Sequence, residues 1–241
     1  MTATRLRALH VPGDPLVLPN AWDADTARLV EEAGFPAVAT SSVAVAAALG
    51  YPDGERAPAE EMFAAATRIA RAVSVPVTVD AESGYGLAPR EFVERLLATG
   101  AVGCNLEDTD HAAGALRPVA EQADRLAAVR EAAGDALVVN ARIDVFLRAE
   151  DARSVLPEAI ARARAYLDAG ADCVYPILLR SPGVLAEFVE AVRPAAVNGN
   201  PLPDTDLAGL GVARISLGAG LWRATRTWLA GHLKKLADGT G

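Results

Sequence analysis

A repeated punctuation constrains this chain more than any other feature of it. The segments EEAGFPAVATS, LATGAVGCNLED, LDAGADCVYP and LAGLGVARIS each run a helix-like stretch into a glycine, at Gly34, Gly100, Gly170 and Gly211, and then into a short apolar run. A glycine just past a helix is the usual left-handed cap. A short apolar run bounded in this way reads as a strand buried on both faces, as in parallel sheets. RAVSVPVTVDAE and EAAGDALVVNAR make the same passage with different punctuation. In chain order, strands are expected at 17–18, 37–40, 77–79, 102–106, 137–140, 173–176, 195–197 and 213–216. Helices are expected at 25–33, 59–72, 89–98, 119–133, 156–169 and 184–192, with a short one near Leu207 and an amphipathic tail helix at 222–237. Eight βα units in 241 residues fit an α/β chain folded as a (β/α)8 TIM barrel, a single domain over residues 1–241 with no linker. The competing fold, a doubly wound open sheet, usually has fewer strands and a glycine-rich phosphate loop, and no GxGxxG or Walker sequence is present.

Composition narrows the partners. Hydrophobic residues make up 51% of the chain, enough for a sizeable core. A formal charge of −8 makes nucleic acid and anionic membranes poor partners. Cys104 and Cys173 lie in apolar strand-like runs and read as buried thiols in a reducing compartment. There is no CxxC and no Cys/His cluster, so no structural zinc site is expected. No apolar run approaches the ~18 residues of a membrane span, and MTATRLRALH lacks the apolar core of a signal peptide. A cytoplasmic protein is expected.

The expected strands are polar at one end only. Their C-terminal ends carry Asn20 and Asp23; Thr40, Ser41 and Ser42; Asp80 and Glu82; Glu107 and Asp108; Asn140, Arg142 and Asp144; Tyr175; Asn198 and Asn200; and Ser216. Their N-terminal ends are Gly, Ala, Val and Pro. In a barrel, active sites are built at the C-terminal ends of the strands. The richest end is VPVTVDAESGYG, where a β-branched run ends on Asp80 and Glu82, two residues apart and so able to leave one face. Buried acids are costly unless neutralised, and a divalent cation is the simplest partner. GCNLED repeats the design with Glu107 and Asp108, which suggests one shared hard-cation site. Carboxylates without His or Cys favour Mg2+ or Mn2+.

At these residues the sequence resembles the isocitrate lyase/phosphoenolpyruvate mutase family. The matching pieces are LPNAWDADTARLVEEAGFPAVATSS, LGYPDGE, VPVTVDAESGYG, GCNLED, VVNARIDVF and LGVARISLGAGLWRA. The resemblance implies a magnesium-dependent barrel and a homo-oligomer, dimer or tetramer, often with the C-terminal helix exchanged between subunits. It implies an enzyme that makes or breaks a C–C or C–P bond next to a 2-oxo acid through a pyruvate-type enolate. Carried over by motif, the metal-site acids fall on Asp80, Glu82 and Glu107, with Asp53 beside them. The turn holding the oxo acid falls on Thr40, Ser41 and Ser42, and the substrate-carboxylate arginine on Arg142. The family commonly has Asp where Glu82 stands. Lyases of the family carry a Lys-Lys/Arg-Cys-Gly-His segment where this chain reads DTDHAAGALRP, and phosphonomutases carry Asn and lysines there. The loop therefore fixes no subtype, and brisk cleavage of isocitrate or 2-methylisocitrate is not expected.

Bland alternatives stand beside each role. Asp53 in Pro-Asp-Gly also reads as a turn residue, Arg142 as a strand-end ion pair, and the Thr40–Ser42 stretch as a helix N-cap. His111 and Asp110 read as loop acid–base groups or as exposed loop residues. Trp22 and Tyr85 read as pocket walls, and Asp23 as a helix cap. Trp222 and Trp228 read as core or interface anchors. Lyase chemistry at a C–C bond leads; phosphonate chemistry by mutase or hydrolase follows. A non-catalytic barrel that binds a 2-oxo acid is the alternative of a different class.

Overall fold

The computed structural model describes residues 2–239. After a short helix α1 (Ala3–Ala8), the strand segments β1 (Leu16–Leu18) and β2 (Asn20–Ala21) lead into α2 (Ala24–Glu32). Then come β3 (Val38–Thr40), α3 (Ser42–Leu49), α4 (Ala59–Ala72), β4 (Val77–Asp80), α5 (Pro89–Ala98) and β5 (Gly103–Glu107). A small hairpin of β6 (Thr109–Asp110) and β7 (Ala115–Leu116) precedes α6 (Val119–Ala133). The chain continues through β8 (Val138–Ile143), α7 (Ala152–Asp168), β9 (Cys173–Pro176), α8 (Pro182–Val192), β10 (Ala196–Gly199), β11 (Arg214–Ser216) and α9 (Gly220–Ala237).

The main sheet is parallel throughout, in the order β1-β11-β10-β9-β8-β5-β4-β3-β2. Its two ends belong to one extended stretch. Leu16–Leu18 pairs with Arg214–Ser216, and Asn20–Ala21 pairs with Val38–Thr40. Pro19 separates the two segments and lacks the N–H that a continuous ladder would need. Nine strand segments thus make eight staves, and the sheet closes into a nearly complete (β/α)8 barrel. Because every stave is parallel, all C-terminal ends open on one mouth, which brings the polar strand ends together.

Helix α1 plugs the opposite end. Leu6 is fully buried against Leu16, Leu18, Ala37, Ala39 and Val138. Gly103 makes room for it, since a Cβ there would lie 2.7 Å from Leu6 Cδ2. Arg7 Nε donates to Asp172 Oδ1 at 2.6 Å, and Asp172 also pairs with Arg130 and accepts from the Val139 N–H at 2.7 Å. One acid thereby ties the plug to two staves. Cys104 and Cys173 are free and fully buried, and burial pushes both thiols up to about 12.

Three sequence expectations are corrected. The segment around Leu207 forms turns, not a helix. Asp206 accepts from the Gly209 N–H at 2.9 Å, and Gly211 at φ +85° ends the single turn that forms. Helices α1 and α3 were not expected, and α7 begins already at Ala152 behind the Asp151 cap. Helix α9 has no buried residue, so Trp222 and Trp228 are not core anchors. Arg226 lies over the Trp222 ring, 5.0 Å from its centroid, and Trp228 stacks on His232. Among the described residues no helix is long and apolar enough to cross a membrane.

His10 follows the plug, with Nδ1 2.9 Å from the Leu6 carbonyl and Nε2 buried without a partner. Burial, then the Arg214 and Arg7 charges, lower its pKa from 6.5 to about 4, against an opposing pull from Asp172. A neutral buried His is favoured above the unfolded pKa, so its contribution to stability is complete above pH 6.5 and is lost as the pH falls towards 4. Urea unfolding should lose on the order of 3 kcal/mol over that window, and His10→Gln should flatten the slope.

Candidate active site

Asp80 ends β4 at the mouth of the barrel. The N–H and hydroxyl of Ser42 both donate to its Oδ2, at 3.0 and 2.9 Å. Its own N–H donates to Thr40 Oγ1 at 2.9 Å. Its Oδ1 is buried and has no hydrogen-bond partner. The Ser42 N–H is thus committed to an acid and is not free to meet a substrate oxyanion. Ser41 occupies the N-cap position of α3, yet its side chain makes no capping bond. Thr40 and Ser42 hold Asp80, and Asn20 Nδ2 donates to the Thr40 carbonyl at 2.6 Å.

The turn after β4 is clasped from outside. Glu82 is buried and has φ +49°, and Tyr85 has φ +58°. Left-handed backbone costs a residue with a Cβ about 1–3 kcal/mol and persists only where its surroundings enforce it. Here the enforcement comes from Glu55, itself at φ +57°. Its Oε1 accepts from Ser83 N–H (3.1 Å), Ser83 Oγ (2.8 Å) and Tyr85 N–H (2.6 Å), while its own N–H donates to Glu82 Oε2 at 2.5 Å. Burial first, and then the charges of Asp53, Asp80 and Glu107, push the Glu82 carboxyl up to about 8 against the pull of that N–H. Asp53 is exposed, but partial desolvation and the Asp80 charge still raise its carboxyl above the ordinary range. The Tyr85 ring stands edge-on to Phe63 at 5.5 Å.

Glu107, at the end of β5, is buried, with both carboxylate oxygens taken. Arg142 holds Oε2, and His111 Nε2 lies 2.5 Å from Oε1. Burial raises the Glu107 carboxyl, and Arg142 and His111 pull it back down; the bond to Glu107 in turn raises His111. Arg142 directs Nε and Nη2 at Asp144, at 2.7 and 2.8 Å, so its fork is engaged by a protein acid and Nη1 is the nitrogen these acids leave. Asp144 also accepts from Thr109 Oγ1 at 2.5 Å.

Asp108 does not join Glu107 in a shared cation site. Adjacent strand residues point to opposite faces. Asp108 turns outward and is fully buried against Arg162 Nη1 (3.0 Å), Tyr166 OH (2.8 Å) and the Asp144 N–H (2.9 Å). Asp110 caps the hairpin turn through the Ala112 and Ala113 N–H groups, each at 3.0 Å. Asp23 is the N-cap of α2 in a reciprocal box with Thr26, and Trp22 packs against the main core. Tyr175 OH accepts from Asn200 Nδ2 at 2.7 Å.

The residues fit a hydrated hard cation better than a direct cage. Among the described residues, no group of three or more His, Cys, Asp or Glu is placed to hold a metal by itself. The reason is visible in the partners already assigned to Glu107, Glu82 Oε2 and Asp80 Oδ2. What remains is Asp80 Oδ1, a buried carboxylate oxygen with nothing bound to it. Mg2+ commonly keeps several waters and takes one or two protein carboxylates, which matches one free carboxylate oxygen with further acids beside it. Of the three acids expected at the metal, Asp80 keeps a free oxygen, Glu82 has one oxygen engaged by the Glu55 N–H, and Glu107 has both engaged.

Glu55 and the Arg162–Tyr166 partners of Asp108 escaped sequence reading. Glu55 looks like one more acid of an exposed loop, and nothing local reveals that it folds onto a turn 28 residues away.

A parallel barrel with an acid-lined C-terminal mouth is the architecture of a barrel enzyme, and the solved structures it superposes on include members of the PEP mutase/isocitrate lyase superfamily. The chain belongs to the phosphoenolpyruvate phosphomutase family, whose model matches residues 6–237. A crystal structure from Burkholderia cenocepacia J2315 superposes with a TM-score of 0.91 at 43% identity, covering 97% of this chain and 99% of that one. Phosphoenolpyruvate phosphomutase from Streptomyces platensis subsp. rosaceus superposes with a TM-score of 0.87 at 29% identity, covering 100% and 89%. The 2-methylisocitrate lyase of Bacillus subtilis (strain 168) is 33% identical over 199 residues, 79% of this chain and 64% of the lyase.

Buried Asp108 gives a stability test. Asp108→Ala leaves buried Arg162 with only the half-exposed Glu158 as acid partner and frees the Asp144 N–H and Tyr166 OH, and should cost about 3 kcal/mol in denaturant unfolding. Replacing both partners, Asp108→Leu with Arg162→Met, should recover part of that loss, because no buried charge is then left unpaired.

Proposed function

We propose that this protein is a cytoplasmic Mg2+-dependent lyase, with Mn2+ as substitute, that makes or breaks a C–C bond next to a 2-oxo acid through a pyruvate-type enolate. The observation that carries the proposal is Asp80 Oδ1, buried and unpartnered at the centre of an acid-lined mouth. A burial cost of this kind is retained where a positive group completes the site. Asp80 would hold the cation directly, with Glu82, Glu107 and Asp53 reaching it through water. Bound there, a divalent cation supplies positive charge opposite the developing enolate oxygen.

The chain's own groups supply the rest. Thr40 and Ser42 fix Asp80. Arg142 meets the substrate carboxylate through Nη1 while Asp144 and Glu107 keep its plane oriented. The His111–Glu107 pair is the acid–base group: Nε2–H stays on Glu107, and Nδ1 takes the proton of a hydroxyl β to the oxo group of a 2-oxo acid as the C–C bond between them breaks. The hydroxyl oxygen becomes a carbonyl, the C–C electron pair passes through the α-carbon into the 2-oxo group as an enolate, and His111 returns the proton to that carbon. The Asp108 to Pro118 segment, which carries His111, covers the mouth and keeps water out. Trp22, Tyr85 and Ser41 line the approach. C–P chemistry on a phosphonate is the second reading, favoured by the Streptomyces relative. Absence of a cysteine from the hairpin leaves isocitrate and 2-methylisocitrate as poor substrates.

Chelator-stripped protein screened against 2-oxo acids, 2-hydroxy diacids and phosphonates should turn over one of the first two classes only after Mg2+ or Mn2+ is restored. Phosphate release from phosphonopyruvate instead would select the second reading, and turnover in excess chelator would exclude the cation. Oxalate, a planar enolate mimic, should bind only with metal. Arg142→Lys should lose more than about tenfold in kcat/KM, because a point charge cannot hold two acids and a substrate at once.

The tail has its own reading. Helix α9 presents Trp228, Leu229, Leu233 and Leu236 to solvent. We assign these side chains to contact with a second copy of the chain in a homo-oligomer. Light scattering after gel filtration should show a dimer or tetramer, and Trp228→Asp should shift it towards monomer. A monomeric wild-type protein would exclude the assignment.

A further inference from the structure

We infer that Glu55 is a positioning residue, whose carboxylate sets the geometry of the turn that presents Glu82. The inference rests on the divalent-cation reading given above. Glu55 and the Ser83–Tyr85 turn form a closed loop of hydrogen bonds. Oε1 of Glu55 accepts three donors from Ser83 and Tyr85, and the Glu55 N–H returns one bond to Glu82 Oε2. Of the five non-glycine residues with positive φ among the described residues, three belong to this clasp: Glu55, Glu82 and Tyr85. The bond from Glu55 orients the Glu82 carboxylate by occupying one oxygen and leaving the other.

The clasp reaches the other site groups as well. Glu55 shares its loop with Asp53, so fixing one fixes the approach of the other. Gly54 between them lies against the His111 ring, since a Cβ on it would stand 3.4 Å from Nδ1. Loop, turn and hairpin therefore meet at Glu55, and a side chain that touches no reacting atom sets the spacing of Asp53, Glu82 and His111.

The test compares full-length Glu55→Ala, Glu55→Asp and Glu55→Gln with the wild type by two readouts. One is amide hydrogen exchange at Ser83 and Tyr85 in metal-free protein. The other is Mn2+ affinity, followed by the paramagnetic resonance signal of free Mn2+. Loss of an outer-shell partner of a metal typically costs about 10–100-fold in affinity, and Glu82 held by Glu55 is such a partner. Glu55→Ala should weaken Mn2+ binding by that factor and speed exchange at both amides by at least about tenfold, with β4 amides unchanged. Glu55→Asp, too short to reach, should behave alike and carries the test if the alanine variant does not fold. Glu55→Gln keeps an Oε1 acceptor and should stay within about threefold on both readouts. Unchanged exchange or unchanged Mn2+ affinity in the short variants, or a Gln variant as impaired as the Ala variant, overturns the inference. A wild type that binds no Mn2+ overturns the cation reading, while accelerated exchange in Glu55→Ala would still uphold the clasp.

Discussion

Like charge gathered in a desolvated mouth is the constraint on which the rest of this structure depends. A closed parallel sheet delivers the C-terminal ends of all its staves to one place, and here several of those ends are acids. Carboxylates this close raise one another's cost of ionisation, and burial raises it further. The surrounding structure answers each oxygen in turn. Ser42 takes Asp80 Oδ2, Glu55 takes Glu82 Oε2, and Arg142 and His111 divide Glu107. Asp80 Oδ1 is left buried without a hydrogen-bond partner, and the second oxygen of Glu82 is left by the Glu55 bond.

The groups that answer these charges come from different layers of the barrel. Ser42 begins a helix directly after a strand, where its N–H is one of the orphan donors of a helix start. Glu55 arrives on a loop between two helices, and His111 on the tip of a two-stranded hairpin whose far side is held by Arg148 donating to the Gly114 carbonyl at 2.8 Å. The site is thus held by the sheet on one side and by bonds from loop and hairpin on the other. In enzymes generally, such loops and hairpins over a barrel mouth are the parts that close on a substrate and open again.

Arg142 and Asp108 show how pairing assigns roles within a crowded site. Arg142 is locked in plane by two acids, which orients it and limits what it offers a substrate. Asp108 carries the same charge as Glu107 and adjoins it in sequence, yet its ion pair with Arg162 and its bond from Tyr166 make it part of the wall behind the site. Its contribution is to hold the loop after β5 through the Asp144 N–H.

The sequence by itself determined the order of the eight staves and of the helices between them other than α3, because glycine caps and short apolar runs act within a few residues of themselves. It also determined which end of the barrel is polar, since that asymmetry is written at each strand end separately. It overestimated the helix near Leu207, where Gly209 and Gly211 stop the chain after one turn. The tertiary structure decided which acid faces which partner. Glu55 reaching Ser83, Arg142 turning to Asp144 and Glu107, and Asp108 meeting Arg162 are fixed only when the staves close, because hydrogen bonds of about 3 Å depend on the register and curvature of the whole barrel, which no local pattern encodes.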